Sequence, residues 1–330
     1  MSGFENEVRE IMLKELKKYS DSVEVDCLGN VIAKKGNTGK KIMIAAHMDE
    51  IGLMVKYIDK EGYLNFVKIG GIDNRIFPHQ RVVIKNKDKL VDGVVGFKPP
   101  HLLKDEDKKK ILEHSEMFID IGAKNKKEAE RIVKVGDPVS FEPNFGRLND
   151  RKYFGKAIDN RLGCYTLIKT MERLPRKTDY TIYAVGTSQE EVGLKGARVV
   201  AFRLNPDYAI VLDTTIAGDT PQIKENESSL KLGKGPAITI TEASGRGVIT
   251  HPNVVEIFEK TSKSSKIPYQ IDVIEGGMTD AAVIYSTREG IPSGVISIPA
   301  RYLHGPTSVF DMNDVDNTIK LVVKSLDKFK

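Results

Sequence analysis

Several segments of this chain place carboxylates or imidazoles directly after apolar runs. Ile42-Met43-Ile44-Ala45-Ala46 is followed by His47-Met48-Asp49-Glu50, and the run at 180–185 by Gln189-Glu190-Glu191. The run at 208–212 ends in Asp213, and the run at 294–298 leads to His304. Asp159, in Gly155-Lys156-Ala157-Ile158-Asp159-Asn160-Arg161-Leu162-Gly163, falls at the expected start of a helix. If the apolar runs are strands of an open α/β sheet, ligands bind beyond their carboxyl ends. Five elements then deliver carboxylates and imidazoles to one edge.

Taken singly, each residue has an ordinary role. His47 and His304 could be a satisfied strand-end histidine and a surface histidine, Asp159 a helix N-cap, Asp213 a turn cap, and Glu190-Glu191 a solvated acidic pair. Together these readings weaken, because converging carboxylates raise one another's pKa values unless a cation compensates. Two histidines with three acidic side chains form a mixed nitrogen and oxygen donor set suited to Zn²⁺, Co²⁺ or Mn²⁺. The number fits two ions about 3.5 Å apart sharing one bridging carboxylate.

The elements that must position these groups follow from the rest of the chain. Its 330 residues are long for one domain and comfortable for two. Residues 1–69 and 151–330 read as an α/β domain, with expected strands at 23–35, 41–58 and 63–69. Strands and helices then alternate from residue 156, which implies a mixed central sheet flanked by helices. Between these segments, 70–150 carries short β-like pieces punctuated by Gly, Pro and charge, and reads as a small inserted β-rich domain. Residues 99–110 read as a mobile surface loop. Phe4, Val8, Ile11, Met12, Leu16 and Tyr19 fall at helical spacing and predict an amphipathic N-terminal helix.

With 51 basic and 46 acidic residues, a formal charge of +5, the chain lacks the concentrated basic character of a nucleic-acid binder. No apolar run approaches the ~20 residues that span a bilayer, and the N-terminus has no signal segment. A cytoplasmic enzyme without membrane or nucleic-acid partners is expected. Two cysteines, Cys27 and Cys164, provide no disulfide framework.

The motifs resemble those of the tetrahedral (TET) aminopeptidases, a family of dinuclear metallopeptidases related to the co-catalytic zinc exopeptidases. His47-Met48-Asp49-Glu50-Ile51-Gly52 matches the family's HxDE(I/V)G segment, Asp159-Asn160-Arg161-Leu162-Gly163 its DNRxG, and Glu190-Glu191-Val192-Gly193-Leu194-Lys195-Gly196 its EEVGLxG. Asp213-Thr214 and Arg301-Tyr302-Leu303-His304 complete the series in the family's order. Two stretches depart from the pattern. Gly305-Pro306-Thr307-Ser308 replaces a Ser-Pro pair followed by Glu, and the Gly-Gly-Thr-Asp loop carries an additional Met in Gly276-Gly277-Met278-Thr279-Asp280.

The resemblance implies a zinc-exopeptidase-like catalytic domain and a PDZ-like inserted domain that builds dimers, six of which form a tetrahedral dodecamer. It implies removal of N-terminal amino acids from peptides with two divalent ions per subunit, Zn²⁺ or Co²⁺. Asp159 would bridge the ions, His47 and Asp213 would complete one, and Glu191 and His304 the other. Glu190 would be the general base, and Asp49 would orient the His47 ring. The rival readings are a metal-dependent deacylase of N-acyl amino acids and, from another class, an endoglucanase using a carboxylate pair such as Asp49 and Glu190.

Overall fold

A computed structural model describes residues 1–87 and 89–329, with the side chains of Pro100 and Asp107 outside the description. The chain divides into two compact units. The first comprises Met1–Phe4, Glu50–Asn144 and His304–Pro306; the second comprises Glu5–Asp49, Phe145–Leu303 and Thr307–Lys330.

The second unit is built on a mixed sheet of eleven strands among the described residues. Its centre is parallel: Thr181–Thr187, Lys41–His47, Tyr208–Ile216 and Ser293–Arg301 lie side by side in that order. Continuous apolar runs are what a parallel strand covered on both faces requires. Ile42 through Ala46 have no exposed surface. Alternation divides each run between two cores. Ile42, Ile44, Ile182, Ala184, Ile210 and Leu212 face one layer. Met43, Ala45, Val185, Ala209 and Val211 face the other.

The first layer is closed by the helices Asn6–Leu16, Ile158–Arg173, Pro252–Ser265 and Met312–Ser325, through Met12, Leu167, Phe258 and Leu321 among others. The second is closed by Lys195–Leu204 and the short helix Ala281–Ile284. A buried Phe such as Phe258 contributes roughly 1.5–3 kcal/mol over leaving it exposed.

The first unit is a closed antiparallel barrel of six strands among the described residues. Gly52–Ile58, Leu64–Ile69, Met117–Asp120, Lys89–Phe97, Arg81–Asn86 and Pro138–Phe141 pair in that order and return to the start. Phe66, Phe77 and Phe141 fill it, with Phe66 and Phe77 edge to face at 5.5 Å. Barrel closure leaves no free edges.

The inserted unit therefore begins at Glu50, twenty residues before the expected boundary at 70. Strands Gly52–Ile58 and Leu64–Ile69, expected in the α/β domain, pair with each other and with barrel strands. The expected strand 41–58 is broken after His47, where Met48 N–H donates to Thr187 O (2.7 Å). Apolar runs on either side of this break look alike in sequence, which hides the change of sheet. Residues 99–110 form a series of short turns. In the N-terminal helix Met12 and Leu16 are buried, but Ile11 is exposed and Phe4 precedes the helix.

Asp314, in the first turn of Met312–Ser325, accepts N–H bonds from Gly233 at Oδ2 and Gly235 at Oδ1, both 2.7 Å. Burial pushes its carboxyl up to about 7; the two N–H donors and Lys152 oppose the shift and Asp311 adds to it. Between the ordinary 3.8 and about 7, the unfolded chain has released this proton while the folded chain keeps it. Stability from this group is therefore full below that window and falls as pH rises through it. In urea titrations, Asp314→Asn should lose about 1–3 kcal/mol through one unsatisfied N–H. Its deficit against wild type should be larger at the acid end of the window than above it; a pH-independent deficit would contradict the assignment.

Candidate metal centre

His47 ends its strand beside Thr187, its neighbour in the parallel register. The ring is 2% exposed. Its Nε2 lies 3.1 Å from Asp159 Oδ1, 3.7 Å from Asp213 Oδ1 and 3.9 Å from Glu190 Oε2. Its Nδ1 faces Asp49 Oδ1 at 3.4 Å, without hydrogen-bond geometry. His47, Asp159 and Asp213 each bring a ligand atom within 4.8 Å of the others, and so do His47, Glu190 and Glu191.

Two turns hold this arrangement. Asp159 and Asn160 have non-helical backbone angles inside Ile158–Arg173, so the regular helix starts after them. Asn160 donates through Nδ2 to Leu212 O (2.8 Å) and accepts from Gly163 N–H at Oδ1 (2.9 Å), so it caps the helix and ties it to the strand of Asp213. A Cβ on Gly163 would stand 2.3 Å from that same Oδ1. Arg161 Nε donates to Met48 O (2.8 Å), joining the motif to the His47 segment.

Glu190 and Glu191 sit on a turn entered at Gln189 and left at Leu194, both in the left-handed region at φ 55° and 57°. Glu190 O accepts from the N–H groups of Gly193 and Leu194, 2.9 Å each. Asp49, with no exposed surface, accepts from Glu190 N–H at Oδ1 (3.0 Å) and Glu191 N–H at Oδ2 (3.2 Å). One carboxylate thus faces His47 Nδ1 and clamps both glutamates.

His304 belongs to the first unit, where its Nδ1 lies 2.7 Å from Gly71 O. A carbonyl partner fixes Nδ1 as the protonated nitrogen and leaves Nε2 as the basic one.

Electrostatics in the catalytic unit favour a cation. Burial pushes Glu190 well above the usual carboxylate range, with Asp213, Asp280 and Glu191 adding to the rise and the charge of His47 opposing it. Burial also raises Asp213. Burial lowers the pKa of His47, but the charge of Glu190 and hydrogen bonds to Asp159 and Asp213 outweigh this and hold it well above its usual value. Such a set retains protons that a divalent ion would displace. A mixed imidazole and carboxylate donor set, with one ring nitrogen directed at an acceptor, fits a metal ion.

Sequence reasoning passed over several groups. Asp280 is buried, accepts from Thr187 Oγ1 at Oδ2 (2.5 Å) and is pushed up to about 7 by burial, with Asp213 and Asp49 adding and His47 opposing. Asn30 Oδ1 accepts from Ser188 N–H (2.9 Å), and Glu5 Oε1 from Gln189 N–H (3.2 Å). None of these follows an apolar strand directly, so the strand-end rule did not reach them.

A model of the M42 glutamyl aminopeptidases matches residues 29–321. A putative aminopeptidase of Acetivibrio thermocellus is 45% identical over 326 residues, covering 99% of this chain and 94% of the relative. An aminopeptidase of the archaeon Desulfurococcus kamchatkensis has a TM-score of 0.95 at 40% identity, covering 99% of this chain and 91% of its own. The TET1 peptidase of Pyrococcus horikoshii, which can assemble into a tetrahedron or a large octahedral shell, has a TM-score of 0.88 at 34% identity, covering 98% and 94%. On this match along nearly its whole length, the chain belongs to the peptidase M42 family of aminopeptidases.

Proposed function

We propose that this aminopeptidase removes N-terminal amino acids from peptides using two divalent ions, Zn²⁺ or Co²⁺, held by His47, Asp159, Glu191, Asp213 and His304. The observation that carries the reading is the approach of Asp159, Asp213 and Glu190 to a single nitrogen of buried His47. Asp159 would be shared between the ions, with His47 and Asp213 as further donors to one and Glu191 and His304 to the other. Bound there, the ions supply Lewis acidity toward the scissile carbonyl and make water acidic enough to yield hydroxide near neutral pH.

Glu190 is the general base. Its carboxylate lies 3.9 Å from His47 Nε2 and is not among the proposed ligands, so it is free to take a proton from water and return it to the leaving amine. Asp49 orients His47 and holds the Glu190 backbone in place. The donor carboxylates also suit a free α-ammonium group, which selects peptide N-termini over N-acylated substrates. Six dimers, each joined through the barrel unit, form a tetrahedral dodecamer; the assembly of the Pyrococcus horikoshii relative supports this. The free cysteines Cys27 and Cys164 suit the reducing cytoplasm, and no described helix is long and apolar enough to cross a membrane.

Glu190→Gln should reduce kcat on amino-acid anilides by about 10²–10⁴-fold with metal content near wild type by elemental analysis. Retention of a tenth or more of the activity would remove Glu190 from this role. An N-acetylated amino acid assayed beside a free amino-acid anilide should be left intact; its hydrolysis in preference would favour a deacylase. Native mass measurement should give about 440 kDa, twelve copies of the 36.7 kDa chain. A mass near one protomer would exclude the assembly.

A further inference from the structure

Met278 is the departure from the family pattern that the proposed metal chemistry leaves unused. It is 52% exposed, although large and apolar. The residues that follow it are clamped. Thr279 donates through Oγ1 to Glu242 Oε1 (2.7 Å) and through N–H to Oε2 (3.2 Å). Asp280 accepts from Thr187, the residue paired beside His47 in the sheet. One residue, Thr279, separates Met278 from Asp280, so their Cα atoms lie within about 7.6 Å.

The stem of Met278 passes over Gly247: its Cγ lies 3.2 Å from where a Cβ on that glycine would stand. Before it, Gly276 and Gly277 lie in open space, where an added Cβ would meet nothing within 4 Å. The loop is therefore clamped at Thr279 and Asp280, and it presents an exposed thioether immediately before that clamp. Ile249, 62% exposed, follows Val248, another N–H donor to Glu242. Ile216, 58% exposed, ends the strand that carries Asp213.

The geometry points to Met278 as a wall of the subsite for the side chain of the substrate's N-terminal residue, selecting uncharged aliphatic side chains such as Leu or Met. This assignment rests on the aminopeptidase reading and adds its substrate class. Met is unbranched and polarizable, and it packs against aliphatic chains of varied shape. An acidic substrate side chain set against this thioether would give up its hydration with no partner in return.

The test uses metal-loaded enzyme and the 4-nitroanilides of Leu, Met, Ala and Glu, with Met278→Gly and Met278→Leu compared to wild type. Thermal melting verifies that the loop variants remain folded. Wild type should favour Leu and Met over Glu by at least about tenfold. Met278→Gly should lower kcat/KM for Leu by about tenfold and for Ala by less than about twofold, the scale expected for lost methylene contacts. Met278→Leu should stay within about twofold of wild type on Leu. A Leu to Ala ratio unchanged in Met278→Gly, or wild-type preference for Glu, would overturn the assignment while leaving the aminopeptidase reading intact. Release of nitroaniline from none of the four by wild type would fail that reading, and this assignment with it.

Discussion

Four carboxylates approach the two ring nitrogens of His47 within 3.9 Å, in a pocket almost without solvent. At an effective dielectric near 20, two like unit charges 4 Å apart repel by about 4 kcal/mol. Folding tolerates such a cluster only if protons or cations neutralise it. Glu190, Asp213 and Asp280 accordingly all hold their protons more tightly than free carboxylates do. Much of the catalytic unit acts to hold these acids together against their repulsion. The chemistry proposed for the site draws on the same repulsion, since it is what divalent ions would relieve.

The restraint comes from residues that are not themselves donors. Asp49 secures the Glu190-Glu191 turn by two backbone N–H bonds, and Asn160 pins the Asp159 segment to Leu212. Gly196 fits where a Cβ would stand 2.3 Å from Asn30 Oδ1, and Asn30 in turn holds Ser188. Cys164 donates from Sγ to His47 O (3.1 Å); burial pushes this thiol up to about 12, so it packs rather than reacts. Substitutions at such positions act by misplacing the acids, which matters because a displacement of about 1 Å can reduce catalysis about a hundredfold.

The parallel sheet brings the segments together economically. Four adjacent strands run in one direction, so Thr187 and His47 fall at carboxyl ends, Asp213 lies in the last half of its strand, and the chain leaves the fourth strand toward His304. Helices on both faces keep these strands dry, which is why apolar runs could be recognised by continuity rather than alternation.

Much of the α/β unit was legible in the amino-acid sequence for that reason. Unbroken apolar runs mark buried parallel strands, and the polar residues after them mark the sheet edge, so His47, Glu190, Glu191 and Asp213 could be named in advance. The extent of the barrel could not. Gly52–Ile58 is as apolar as the strand before it, and its hydrogen-bond partners, Leu64–Ile69 and Pro138–Phe141, are set by closure of the barrel rather than by local pattern. Asp280 and Glu242 were hidden too, because their burial depends on Thr187 and Thr279, which are remote from them or unremarkable in sequence. Residue types and strand order were thus determined locally by side-chain periodicity. The distances that crowd the acids around one imidazole, and the clamps that keep them there, were decided only when remote strands paired.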